Sequence, residues 1–564
     1  MLSQYVSTSL VQVTLVICAG IWFTNVNQVV PEPYLDEVFH IRQATAYWRN
    51  QWQIWDPKIT TPPGLYIVSY ILLGPLRLVP DLAIGPLALR FTNILALTVF
   101  LPYILEQILV LNGTKKSASG KSSFEIAHTI LNICLFPPIF FFSALYYTDI
   151  LSACSVLYSY VFFLKYPYGR SKGHSLRIGT ICLSGLWSLW FRQTNIFWVA
   201  IFSAGLEVLR TLREEENVHN PEVGTASLTG RTPRNCPSAL TDEYLDYFST
   251  SLSIGLVAIR KLMTILQAVT PYVVILAAFG TFVIWNGSVV LGHKEFHTAS
   301  LHLPQMLYIW PYFMFFSFPL VIPYFLNAFV PQQLLPIFCR TGSLSSRLPR
   351  IGVSVSIICC MMLVIHFNTI VHPFTLADNR HYVFYIFRIL LKNEVTKYGA
   401  VIVYFICGWA SIAALGGIPR LANDDGRTKM AEPATTDPKV KRAATSIDNE
   451  SNTVGFVIVW LVSTALSLVT APLVEPRYFI VPWMIWRLHV PIHHQQLLPG
   501  KTHVGQKKNP TSTPASEGFI RTHDYRLWVE TAWYLTVNVV TARIFLAWGF
   551  SWPQEPGQVQ RFLW

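Results

Sequence analysis

The sequence predicts an all-α polytopic membrane protein, and three observations carry that class. The 564-residue chain is 52% hydrophobic and only 13% charged, where soluble domains carry roughly 25% charge. Apolar runs of about 20 residues, the length that crosses a hydrocarbon core, recur throughout. Lysine and arginine gather in the short polar segments between these runs, as they do in cytosolic loops. A soluble enzyme, a disordered chain and a secreted disulfide scaffold are excluded. The net charge of +12 therefore reports topology and not nucleic-acid binding.

Tyr5–Val30 is expected to be a retained first span, since no basic n-region or A-x-A cleavage site accompanies it. Basic residues mark the cytosolic loops: Lys115, Lys116 and Lys121; Arg170, Lys172 and Arg177; Arg340, Arg347 and Arg350. Polar inserts at 212–270, 419–452 and 495–526 belong to the same side. Parity then places 31–87 on the far side and leaves Gly64–Pro80 as a juxtamembrane or re-entrant helix, with prolines at 62, 63, 75 and 80. The other spans fall near 88–111, 126–146, 149–166, 178–190, 195–211, 271–291, 305–329, 351–371, 399–418, 453–472, 478–494 and 527–548. The total is about 13, within a range of roughly 12–14. Residues 1–564 thus form one membrane domain. The nine cysteines make no CxxC or Cys/His ligand spacing, so no zinc site or disulfide framework is expected.

The unusual polar residues all lie on the far side. Asp36 and Glu37 follow the first span, where a lipid-borne substrate can reach them and a low dielectric makes a carboxylate a better base. The alternative is that both complement the dipole of a helix running through Trp48. Arg192-Gln193-Thr194-Asn195 offers an arginine to a phosphate, or a snorkelling side chain at a span end. Asp378-Asn379-Arg380-His381-Tyr382 brings phosphate- and sugar-binding residue types to one membrane edge. Glu475-Pro476-Arg477-Tyr478 sets an acid and a base in a very short turn, where they are costly unless paired or functional. His297 and His302 share a loop without helical spacing and read as loop histidines, not metal ligands.

These segments resemble the dolichyl-phosphate-glucose-dependent α-1,2-glucosyltransferases of the lipid-linked oligosaccharide pathway. The likeness is carried by Pro33-Tyr34-Leu35-Asp36-Glu37-Val38-Phe39-His40, by the run Gln53–Tyr66 containing Trp55-Asp56-Pro57 and Thr60-Thr61-Pro62-Pro63-Gly64, by Arg192–Asn195, by Ala377–Tyr382, by Glu475–Phe479 and by Gln560–Trp564. Leu35 stands where the family usually has methionine. The resemblance implies a GT-C glycosyltransferase architecture in the endoplasmic reticulum membrane, with the first loop lumenal and catalytic. The donor would be dolichyl phosphate β-D-glucose. The acceptor would be the diglucosylated Man9GlcNAc2 oligosaccharide on dolichyl diphosphate, which receives the third and last glucose with inversion.

Within that reading the base is Asp36 or Glu37, with Asp36 favoured. Arg380 and Arg477, then Arg192, are candidates for the phosphate, and Asn379, His381 and Tyr382 for the sugar. No metal or cofactor is expected, because the leaving group is already a phosphate. The partners are the two dolichol-linked lipids and the membrane. A mannosyltransferase of the same architecture is the near alternative. A transporter predicts polar residues deep within spans, and a silent relative would lack the intact Asp36, Glu37, Arg380 and Arg477.

Overall fold

The computed structural model describes residues 2–564 apart from 80–82, 116–122, 170–172, 220–243, 293, 295–299, 331–348, 372, 417–451, 472, 493–523 and 553–554. Residues 220–243 of the 212–270 insert, nearly all of 419–452 and 495–526, His297 and several basic loop residues, Lys116, Lys121, Arg340 and Arg347 among them, therefore lie outside the described residues. Nearly all the rest of 212–270 is helical rather than a polar loop, in Ser203–His219, Tyr244–Arg260 and the start of Leu262–Asn286. The described residues are mostly helical, and their one sheet is an antiparallel hairpin, β1 (Phe550–Trp552) with β2 (Glu555–Gln560). That hairpin departs from the all-α expectation.

Among the described residues, six helices are long and apolar enough to cross a membrane, or seven if a bent pair counts as one span. The chain is a multi-pass membrane protein. Two other expected spans are broken for identifiable reasons. The 126–146 run splits into Ser123–Cys134 and Pro137–Phe142, because Pro137 and Pro138 have no N–H to continue the ladder. The 305–329 run bends by 98° between Gln305–Phe316 and the helix that starts at Phe318. Pro319 cannot bond the carbonyl of Phe315, and the indole N–H of Trp533 takes that carbonyl at 2.8 Å instead. Gly64–Leu72 is nine residues long, about 13 Å of helix, too short to cross.

Aromatic side chains fill the middle of the bundle. Trp460, Trp483 and Trp486 are fully buried, and Trp483 stacks on Phe136 with centroids 3.6 Å apart. Each indole N–H is satisfied: Trp460 bonds Pro482 O, Trp483 bonds Ser317 Oγ and Trp486 bonds Ser411 O. Buried tryptophans need such partners, and these bonds tie helices distant in sequence into one body.

One end of this bundle collects the loops. Gly64 N–H bonds Trp190 O at 2.8 Å, and a Cβ at Gly64 would collide with that carbonyl. The side-chain amide of Gln193 bonds Thr60 O, and Leu291 N–H reaches the same carbonyl. Gly292, with φ +62°, lies against the backbone of Pro57 and Ile59. Residues 53–64, 190–193 and 291–292 thus form a continuous floor, although they are far apart in the chain.

Candidate functional site

The turn Tyr34-Leu35-Asp36 opens the helix Glu37–Trp48. Leu35 has φ +54°, a conformation that costs a non-glycine residue roughly 1 kcal/mol or more and collects at functional sites. Asp36 stands at the N-cap, where an aspartate ordinarily accepts a backbone N–H. Its side chain makes no such bond. It turns away from the helix and meets Arg477 Nη1 at 3.4 Å, with half of its side chain exposed.

Glu37 does the opposite. It is fully buried and holds Arg90 in a two-pronged pair, Nε to Oε1 at 2.9 Å and Nη2 to Oε2 at 2.7 Å. It also accepts the backbone N–H groups of Tyr34 at 3.0 Å and Tyr146 at 2.6 Å. Arg90 spends its remaining donors on Asn27 Oδ1 and the carbonyls of Val30 and Glu32. The two adjacent carboxylates are separated by their environment: Glu37 locks the first loop onto the bundle, while Asp36 faces an opening.

Around Asp36 stand residues from four further segments. Arg477 pairs most closely with Glu475, at 2.9 Å, and its Nη1 lies 4.0 Å from Asp149. Its guanidinium covers the rings of Phe142 and Tyr147. Arg192 pairs with Asp149 at 2.9 Å and donates to Thr148 Oγ1 at 3.3 Å. His40, one turn after Asp36, shares a 2.6 Å hydrogen bond with the hydroxyl of Tyr66. Burial foremost, with Arg477 and Arg192, pulls His40 down to about 4 against the influence of Asp36 and Asp149, so its imidazole is neutral at physiological pH. Burial raises the Asp36 carboxyl, but Arg477, His40 and His381 together hold it below its ordinary value. Asp36 is therefore ionised.

The 378–382 segment reaches the same neighbourhood from the other side, and its arginine is already engaged. Arg380 grips Asp378 with Nε at 2.9 Å and Nη2 at 2.7 Å, donates Nη1 to Gln560 Oε1 at 3.0 Å and lies over Trp552. Its carbonyl accepts Leu563 N–H, and Tyr382 N–H bonds Leu563 O. Tyr34 closes the circuit, its hydroxyl donating to Arg561 O at 2.6 Å and accepting Arg561 N–H at 2.7 Å. Trp552 and residues 560–563 are thereby clasped between the first loop and the 378–382 segment. His381 sits 3.8 Å from Asp378. Buried polar atoms at Asn379 Oδ1, the Tyr382 hydroxyl and Trp564 Nε1 have no hydrogen-bond partner. His302, by contrast, is a buried residue whose backbone N–H bonds Val469 O.

Asp36, Arg192 and Arg477 are thus brought into one ionic cluster, with Asn379, Arg380, His381 and Tyr382 beside it and Glu37 behind it. Sequence reasoning missed Asp149 and Arg90. Asp149 is the first residue of the helix Asp149–Lys165 and was absorbed into an apolar run. Arg90 lies inside an apolar run, and a charge there marks function or a buried partner.

A polytopic membrane protein with a carboxylate and two arginines gathered at one loop-rich end has the features of an enzyme that handles an anionic, lipid-borne substrate. The DIE2/ALG10 family matches residues 30–488, and the chain belongs to that family. It is 45% identical to an Emericella nidulans protein, over 96% of each chain, and 44% identical to one from Aspergillus fumigatus, also over 96% of each. It is 30% identical to a Mus musculus protein over 99% of this chain and 98% of that one. All three are named Dol-P-Glc:Glc(2)Man(9)GlcNAc(2)-PP-Dol alpha-1,2-glucosyltransferase. Among solved structures, the apo oligosaccharyltransferase of Archaeoglobus fulgidus aligns with a TM-score of 0.26 and 13% identity, over 93% of this chain and 64% of that one. That likeness is too slight to bear on the fold.

Proposed function

We propose that this chain transfers glucose from dolichyl phosphate β-D-glucose to the diglucosylated Man9GlcNAc2 oligosaccharide on dolichyl diphosphate. The product carries a terminal α-1,2-linked glucose, formed with inversion. The observation that carries the mechanism is the divergence of two adjacent carboxylates: Glu37 is spent on Arg90, whereas Asp36 is ionised, half exposed and beside Arg477. The acceptor 2-hydroxyl attacks the anomeric carbon of the donor from the face opposite the phosphate. Asp36 takes the hydroxyl proton as the new bond forms. The bond from carbon to phosphate oxygen breaks, and dolichyl phosphate leaves with its added negative charge held by guanidinium groups.

Arg477 and Arg192 suit that last role better than Arg380, whose donors already face Asp378 and Gln560. A phosphate that draws Arg477 away from Asp36 also removes the charge that keeps Asp36 weakly basic, so donor binding strengthens the base. Asn379, His381 and Tyr382 are proposed for the sugars, and the unpartnered Asn379 and Tyr382 oxygens favour this. The charge supplied by arginine makes a metal unnecessary, so activity is expected to persist in excess chelator. The site lies on the lumenal side of the endoplasmic reticulum membrane, at one end of a GT-C bundle of about 13 crossings.

An assay offering each dolichyl-phosphate sugar to the diglucosylated acceptor tests the assignment. Transfer from the glucose donor alone is expected. Transfer from the mannose donor instead would replace this reading with the mannosyltransferase one.

A further inference from the structure

Asp149 has no place in the reaction as written, yet it is the most deeply buried ionisable group in the cluster. Its side chain is 2% exposed, against 50% for Asp36 and 20% for Glu475. Arg192 approaches one of its oxygens at 2.9 Å and Arg477 the other at 4.0 Å. Neither oxygen has a hydrogen-bond partner. A carboxylate buried without hydrogen bonds is expensive, and its two cations are what it has to offset that cost.

We infer that Asp149 is a positioning residue that holds Arg192 and Arg477 from behind as a single clamp for the donor phosphate. The inference rests on the phosphate role proposed above for those arginines. The exposures set the order of the groups. The guanidinium side chains are 17% and 11% exposed, so a ligand entering from the open side meets them before Asp149. An arriving phosphate competes with the exposed Asp36 for Arg477, whose contact at 3.4 Å is the exchangeable one. Asp149 stays behind the guanidinium during that exchange. Without it, two arginines would lose their shared counter-ion and repel each other.

The test uses the full chain in lipid nanodiscs, with KM measured separately for donor and acceptor. Asp149→Asn keeps the shape and removes the charge. It is expected to raise the donor KM by ~10-fold or more, the scale of coupling between directly contacting charges, while the acceptor KM stays unchanged. Asp149→Glu restores the charge and is expected to recover part of that loss. Because Asp149 acts through both Arg192 and Arg477, the double variant Asp149→Asn/Arg192→Gln should exceed Arg192→Gln in donor KM by less than the ~10-fold expected of Asp149→Asn in the wild type. This comparison stands even where Asp149→Asn by itself fails to accumulate.

A donor KM that is unchanged or lowered in Asp149→Asn overturns the inference, as does full additivity in the double variant or an equal rise in both KM values. If Arg192→Gln and Arg477→Lys also leave the donor KM unchanged, the phosphate reading itself falls. If those two raise it and Asp149→Asn does not, only the role of Asp149 falls.

Discussion

Two clusters of charge occupy the same helical bundle and are built on opposite principles. In the first, Glu530 and Arg487 are buried to within 1% and meet in a two-pronged pair, with both distances 2.7 Å. Asn132 adds a bond to one oxygen of Glu530 at 2.8 Å and Tyr534 adds one to the other at 3.3 Å. The second is the Asp36 cluster, where three carboxylates face two guanidiniums, the contacts run from 2.9 to 4.0 Å, and Asp149 has no hydrogen bond. A saturated buried network fixes structure, whereas a partly satisfied one is costly unless something completes it. The Glu37–Arg90 pair follows the first pattern although it stands next to Asp36.

The sharpest way to break this comparison is to damage the saturated cluster. Glu530→Ala leaves Arg487 as an unpaired buried charge, a loss of about 3–5 kcal/mol. Thermal unfolding in detergent or nanodiscs should register a large drop, while turnover per folded molecule stays near normal. Glu37→Gln belongs with it, because an amide cannot answer both Arg90 and two backbone N–H groups. The adjacency of Asp36 and Glu37 gives no hint of this. From sequence, Glu37→Gln is expected to cost turnover much less than Asp36→Asn, an expectation about catalysis and not about stability.

Asp36→Asn should behave in reverse. It removes a half-exposed carboxylate with one long contact, so stability is expected to change little. General-base assistance is typically worth ~10²–10⁴-fold, and kcat should fall by at least ~10²-fold with donor binding nearly intact. Normal turnover in this variant would place the base outside the first loop. A smaller effect is expected from Arg477→Lys, which keeps the charge but loses the planar fork. A rise of about tenfold in donor KM is anticipated, with unfolding temperature nearly unchanged.

The candidate site was legible where polar residues interrupt hydrophobicity. Asp36, Arg192 and Arg477 stand in short polar turns, and turns are where a membrane chain can expose charge. The helix through Trp48 was legible too, ending where expected. What escaped is whatever depends on a distant partner. Arg90 meets Glu37 across 53 residues, and Tyr34 meets Arg561 across 527. No local pattern carries such pairings. The hairpin at 550–560 escaped for another reason: Pro556 and Gly557 within β2 read as loop, since both residues disfavour strands.

The last expected effect separates the cluster by pH. His40 is neutral in the folded protein down to about 4, whereas its ordinary value is 6.5. Between those limits the unfolded chain binds a proton that the folded chain does not. Stability therefore rises with pH across this window and is lost on acidification through it. Asp36 acts lower down. Its carboxyl is held below its ordinary 3.8, so its contribution is present above that value and disappears as pH falls below it. Melting temperature should accordingly decline as pH drops from 6.5 toward 4, and His40→Gln should flatten the decline while leaving any step below 3.8 in place. A wild-type curve that is level from 6.5 to 4, or an equal decline in His40→Gln, would show that His40 does not resist protonation between Asp36 and Arg477.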